Sequence, residues 1–225
     1  MISLCIPTRG RPKTFSNLCN SVLDNAFNKD NIEFVSYHDL DDKSTYEYVG
    51  KHKEVIGERI VLSNMFNKCQ EVATGPIYMW LSDDILFETK DWDKYVQDFF
   101  DKSPDKIWFL HPNDHHYRSL FGVVGFLHLN WIKTVGYFMP PYFSTWYADT
   151  WINDVSKRIQ RKRILREMAI SHIPVEDDTT HKDHMVRFRK DKNREIYDSL
   201  MSKRENDAKL LLNFIEYEKN IGRTG

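Results

Sequence analysis

Residues 77–81, Ile-Tyr-Met-Trp-Leu, form an unbroken apolar run that ends without transition in Ser82-Asp83-Asp84. Such a run is too short for a helix, and with both alternating sides apolar it fits a strand covered on two faces. Residues 2–6 (ISLCI), stopped by Pro7, and residues 31–37 (NIEFVSY) read as strands of the same kind. Between them Phe15, Leu18, Cys19, Val22 and Leu23 recur at helical spacing, with Pro12 where a helix can begin. Met65, Cys69 and Val72 give a second helical face, closed by Gly75-Pro76. Strands that are apolar on both faces and joined by helical crossovers predict an α/β domain, a mainly parallel sheet flanked by helices. Residues 59–62 (RIVL) read as the third strand and 77–81 as the fourth. A helix is expected around Trp92 to Phe100, with further strands at 107–110, 123–127 and 169–175. Residues 195–220 read as an amphipathic helical extension.

Bulk properties narrow the function classes. A formal net charge of −1 excludes a strong global field towards polyanions. Cys5, Cys19 and Cys69 are odd in number and lack metal-type spacing, which points away from a disulfide framework and towards a reducing compartment. No stretch approaches the roughly 18 apolar residues of a membrane span. The apolar N-terminal stretch is shorter than a signal peptide needs, so a cytoplasmic protein is expected.

In an open parallel sheet, ligands sit outside the carboxyl ends of the strands. Three polar clusters fall there: Thr8, Arg9 and Arg11 after the first strand, Asp39, Asp41 and Asp42 after the second, and Asp83-Asp84 after the fourth. Two adjacent carboxylates at the end of a buried strand are costly unless a positive group meets them. Mg²⁺ or Mn²⁺ suits such hard oxygen donors and would also neutralise a diphosphate. Arg9 and Arg11 suit charge-assisted contacts to the same phosphates.

Taken in order, IPTRGRP, the acidic turn at 39–42 and SNMFNKCQEVATGPIYMWLSDDI resemble the GT-A glycosyltransferases, particularly those similar to family 2. The resemblance runs over about residues 1–185 and implies a GT-A-like, Rossmann-like catalytic domain. Residues 1–110 would be its nucleotide-sugar-binding half, 111–185 its acceptor half, and 186–225 a C-terminal helical extension. Ser82-Asp83-Asp84 occupies the DXD positions, with Ser82 standing where the family carries its first acid. The resemblance makes Asp84 a metal ligand and Asp83 a contact near ribose or metal. Asp39 matches the acid that reads a uracil ring, which makes UDP the expected nucleotide. GFLHLNWIKTVGYFMPPYFSTWYADTW is similar to the acceptor half, which makes Asp149 the candidate base. AISHIPVEDDTTH resembles the late strand whose His ligates the metal, with His172 the better match and His181 the alternative.

The expected activity is therefore metal-assisted transfer of a sugar from a nucleotide-diphospho-sugar to an acceptor hydroxyl. Two acceptor classes fit the sequence: a glycan or small molecule, or a hydroxymethylated DNA base of the kind that viral enzymes modify, which would place the protein in a host cytoplasm. Basic blocks at Lys157, Arg158, Arg161, Lys162, Arg163 and Arg166, and at Arg187, Arg189, Lys190, Lys192 and Arg194, carry the DNA reading. Tyr142, Phe143, Trp146 and Tyr147 are candidates to stack on a base or a sugar. Asp114-His115-His116-Tyr117 reads as a loop. Two competing classes are a catalytically silent nucleotide-sugar or nucleic-acid binding module, suggested by Ser82, and a nucleotidyltransferase, disfavoured by the single glycine of Arg9-Gly10-Arg11.

Overall fold

The computed structural model describes residues 1–115, 120–144, 146–173, 179–188 and 192–221, with the backbone alone for 179–181 and 187–188. Strands β1 (Ile2–Thr8), β2 (Ile32–Asp39) and β4 (Ile77–Trp80) are the buried apolar runs, and α1 (Pro12–Asp24) and α2 (Leu62–Val72) join them. Strands β1, β2 and β4 pair in parallel, in the order β2-β1-β4. Alternation along these strands splits the core between two faces. Leu4, Phe34 and Met79 pack with α1 and α3 (Trp92–Asp101), whereas Cys5, Val35 and Trp80 face α2.

The third strand lies elsewhere than the sequence predicts. Residues 59–61 belong to no strand and Leu62 opens α2, while β3 is Lys51–Gly57, paired in parallel with β2. As a sheet edge with no buried side chain, KHKEVIG never shows the apolar run that marks a covered strand. Residues 59–61 carry apolar side chains for another reason, since Ile60 packs onto the core as the chain enters α2.

The other half of the sheet contains β5 (Ile85–Phe87), β6 (Phe109–Asp114), β7 (Gly125–His128) and β8 (Lys162–His172). The full order is β3-β2-β1-β4-β7-β6-β8-β5. Strand β7 is antiparallel to both β4 and β6, β8 is parallel to β6, and β5 is antiparallel to β8. Parallel pairs outnumber antiparallel ones in a mixed sheet.

This order forces a curl. Strand β5 follows β4 across only residues 81–84, yet it lies at the opposite edge of that half. Four spacings of about 4.8 Å make roughly 19 Å in a flat sheet, as far as the connecting chain could reach when fully stretched. Residues 83 and 84 are in a turn, so the edge must roll back towards β4. As a result Ile85 pairs with His172, and the Ile173 amide donates to the Asp84 carbonyl at 2.7 Å.

Helices α4 (Leu129–Val135), α5 (Ala148–Arg158), α6 (Thr179–Phe188), α7 (Asn193–Ser199) and α8 (Met201–Ile221) complete the molecule. Arg204, Ala208, Leu211 and Ile215, spaced four, three and four apart, form the buried stripe of α8. The last three join the core that also holds Trp131 of α4 and Trp151 of α5. No helix among the described residues is long and apolar enough to cross a membrane.

Candidate active site

Two adjoining cavities open at the carboxyl ends of β1, β2 and β4. The larger, of about 320 Å³, is lined by Thr8, Arg9 and Arg11 after β1, Asp39 at the end of β2, Arg59 ahead of α2, and Asp83 and Asp84 after β4. The smaller, of about 220 Å³, is lined by Val123, Val124, Met139, Trp146, Asp149 and His172. Leu62, Phe66, Leu81, Ser82 and His184 form the wall they share. All eight residues singled out as site candidates thus line one cavity or the other. Asp39 and Asp84 face the larger, and Asp149 and His172 the smaller.

The first cavity is held by a web of ion pairs. Thr8 Oγ1 donates to Asp83 Oδ2 at 2.6 Å, and Arg11 Nη1 donates to Asp83 Oδ1 at 2.9 Å. Both oxygens of this buried carboxylate are therefore engaged in tying the β1 loop to the β4 turn. Arg9 Nη1 donates to Asp39 Oδ2 at 3.1 Å, and the same guanidinium grips exposed Asp41 with both terminal nitrogens. Asp42 serves the loop, accepting from the Gly10 amide at 3.1 Å and from Tyr46 Oη at 2.8 Å. The acidic turn thus divides its labour, and only Asp39 lines the cavity.

Asp39 is nearly fully buried, and its Oδ1 has no hydrogen-bond partner in the protein. Burial raises its carboxyl above the ordinary value, against the pull of Arg9 and Arg59. An orphaned buried acceptor is costly unless a ligand satisfies it. Arg59, which sequence reasoning missed, places Nε 3.5 Å from Asp39 Oδ2 and pairs through Nη1 with Asp183 of α6. It thereby anchors the helix whose His184 and Met185 roof the cavities. A lone arginine inside an apparent apolar run carries no local signal of that role.

His172 lies between two carboxylates. Its Nδ1 is 3.9 Å from Asp84 Oδ1 and its Nε2 is 3.4 Å from buried Asp114 Oδ2. The Asp84 carboxylate beside it raises the His172 pKa above the ordinary value. Burial pushes Asp84 up, but His172 and the Ser82 hydroxyl, which donates to Asp84 Oδ1, outweigh it and leave the carboxyl low. An ionised carboxylate facing an imidazole nitrogen is a donor set that a divalent cation accepts. No cluster of three or more His, Cys, Asp or Glu that could hold a metal exists among the described residues. The donors present fit an ion that takes its remaining ligands from phosphate oxygens and water, as Mg²⁺ commonly does. The side chain of His181 lies outside the described residues, as do His116 and Tyr117.

Asp149 occupies the first turn of α5, just after Tyr147, whose φ of 83° puts a non-glycine residue in the left-handed region. Its Oδ1 accepts from the Thr150 amide at 2.7 Å. Burial lifts its carboxyl above the ordinary value despite that bond. Of the four candidate stacking aromatics, Trp146 alone lines either of the two cavities described. Tyr142, Phe143 and Tyr147 pack among Trp151 and Tyr197.

The first basic block lies away from both cavities. Lys162 begins β8 and His172 ends it, roughly 30 Å apart at strand rise. Arg158 pairs with Asp154 at 3.0 Å, Arg161 with Asp105 at 3.2 Å, and Lys162 bonds Asn153 at 2.6 Å. In the second block, the side chains of Arg187, Arg189 and Lys190 lie outside the described residues.

No protein-family model and no curated protein matches the sequence. The fold matches that of solved glycosyltransferases. The first 349 residues of Staphylococcus aureus TarS, in complex with UDP-GlcNAc, superpose with a TM-score of 0.69 at 13% identity, covering 95% of this chain and 71% of that one. The same TarS fragment with UDP gives a TM-score of 0.61 at 13% identity, over 100% of this chain and 73% of that one. The mannosyltransferase PcManGT from Pyrobaculum calidifontis, in complex with GDP-Man and Mn²⁺, gives 0.57 at 11% identity, over 100% and 75%. At such identities the likeness establishes a GT-A-type α/β fold.

Proposed function

We propose that this protein is a glycosyltransferase that binds a nucleotide-diphospho-sugar in the larger cavity and transfers its sugar to an acceptor hydroxyl in the smaller one. The observation that carries this reading is the shared wall. Three arginines line one cavity, a half-buried carboxylate lines the other, and the two meet at Ser82, beside Asp84. The complexes of the similar structures with UDP-GlcNAc, UDP and GDP-Man support the donor class.

The residues divide the reaction between them. The unpartnered Asp39 Oδ1 would accept the N3–H of a uracil, which favours UDP over nucleotides lacking a donor there. Arg9, Arg11 and Arg59 would face the diphosphate and stabilise the charge that develops as it leaves. Asp149 would take the proton from the acceptor hydroxyl as its oxygen bonds to the anomeric carbon and the bond to the β-phosphate breaks. A carboxylate raised by burial is a stronger base than an exposed one. Asp84 and His172 would hold a Mg²⁺ or Mn²⁺ ion, which when bound supplies Lewis-acid stabilisation of the departing diphosphate. Mn²⁺ in the similar mannosyltransferase complex supports this assignment. In this reading residues 1–110 supply most of the donor site, 111–185 the acceptor site, and 186–225 the helical extension.

A DNA acceptor draws little support from the first basic block, none of whose residues lines either cavity and in which Arg158 and Arg161 are held in ion pairs. The test is hydrolysis of UDP-sugars with Mn²⁺ by the wild type, Asp84→Ala and Asp149→Ala. The wild type should release UDP, and each variant should lose at least a hundredfold in rate. UDP-sugar binding without turnover would favour a silent binding module, and release of pyrophosphate a nucleotidyltransferase.

A further inference from the structure

Building on the transferase reading, the geometry points to an uncharged sugar ring, the end of a neutral glycan or glycoside, as the acceptor in the smaller cavity. The two cavities segregate charge. Arg9, Arg11 and Arg59 all line the larger, and no described lysine or arginine lines the smaller. A phosphate-bearing acceptor would meet the Asp149 carboxylate with no described lysine or arginine in the lining to offset it.

The smaller cavity has a mixed lining. Val123, Met139 and Trp146 present carbon surface, while Asp149, His172 and Ser82 present hydrogen-bonding groups. A pyranose carries both kinds of surface, a C–H face that stacks on an indole and an edge of hydroxyls. Trp146 is 53% exposed, so its ring offers surface to a ligand. A sugar stacked there would direct a hydroxyl to Asp149. An aromatic alcohol would use the apolar residues and leave the polar ones unmatched. Transfer conserves atoms simply: the acceptor oxygen bonds the donor's anomeric carbon, its proton passes to Asp149, and the electron pair of the broken bond leaves on the diphosphate.

The experiment has two stages. Calorimetric titration with UDP and Mn²⁺, on the wild type and Arg9→Ala, tests the donor site alone, and absence of UDP binding would sink the transferase reading itself. UDP release is then measured from UDP-glucose, UDP-galactose and UDP-GlcNAc with three acceptor sets at equal concentration. These are neutral methyl glycosides and tetrasaccharides, their 6-phosphate or uronate counterparts with polyribitol phosphate, and duplex DNA bearing 5-hydroxymethylcytosine. We expect kcat/KM for the best neutral acceptor to exceed that of every charged one by at least tenfold. Trp146→Ala should raise the acceptor KM about tenfold with kcat nearly kept, Trp146→Phe should restore most of it, and UDP affinity should stay within twofold in both. Given UDP binding, transfer to a phosphate-bearing or DNA acceptor at equal or greater efficiency overturns the inference. Failure to use any neutral acceptor overturns it as well.

Discussion

Asp39 carries one oxygen gripped by Arg9 and one with no protein partner. Losing a hydrogen bond to a charged group costs about 1.5–3 kcal/mol, or about 10–100-fold in affinity. Asp39→Asn should therefore weaken UDP binding by about that factor and narrow the preference for UDP over CDP, both read by calorimetry. Asp114 acts at one remove. Its Oδ2 lies 3.4 Å from His172 Nε2 while Nδ1 faces Asp84, the kind of arrangement by which an outer carboxylate orients a metal-binding histidine. Asp114→Asn should lower Mn²⁺ affinity about 10–100-fold, measured by electron paramagnetic resonance of free Mn²⁺. Asp149 couples activity to pH. A base must be ionised, so kcat/KM should be full above its pKa and fall below it, with a midpoint above that of an ordinary aspartate. The same raised pKa means that the folded state binds the proton more tightly than the unfolded chain does. The charge on Asp149 therefore costs stability, a cost that sets in as pH rises from the unfolded pKa through the folded one. Asp149→Asn should abolish transfer while leaving the melting temperature unchanged or higher.

At the scale of elements, α5 and α8 form one unit through a buried polar knot. Asp207, fully buried on α8, accepts from Trp151 Nε1 at 3.1 Å, from Lys203 Nζ at 2.7 Å and from Tyr137 Oη. Arg204 beside it lies 3.7 Å from the Tyr197 ring centroid and donates to Asp154 at 2.9 Å. Asp207→Ala would strand one buried and one half-buried donor and break an ion pair, costing on the order of 3 kcal/mol. At about 2–4 °C per kcal/mol for a chain of this size, the melting temperature should fall by roughly 10 °C, and Asp207→Asn should recover part of it. The knot ties α8 to α5, whose first turn carries Asp149, so the C-terminal helices support the position of the proposed base.

For the whole molecule, the decisive feature is the rolled sheet edge. It sets Asp84, in the turn just ahead of β5, beside His172 on the strand that β5 pairs with, and brings the two cavities to one wall. A ligand bound only by the folded form stabilises it by about 2.7 kcal/mol at a hundred times its Kd. Saturating UDP with Mn²⁺ should therefore raise the melting temperature by roughly 5–10 °C. Part of that gain should vanish in Arg59→Ala, which removes both an Asp39 partner and the tie to α6.

Local patterns were enough to read β1, β2, β4, α1, α2 and the acid pair at the end of β4, because each is marked by its own periodicity or by an abrupt change in it. Strand β3 escaped because an edge strand need not be apolar, and β5 because three residues carry no period. Which residues face each other was a different kind of question. Asp83 braces the β1 loop, Trp146 opens to a cavity while Tyr147 packs inward, and Arg59 reaches α6. Those outcomes follow from how the sheet curls and which helices cover it. Chain geometry closes such contacts only after the strands have paired, and no stretch of sequence encodes them by itself.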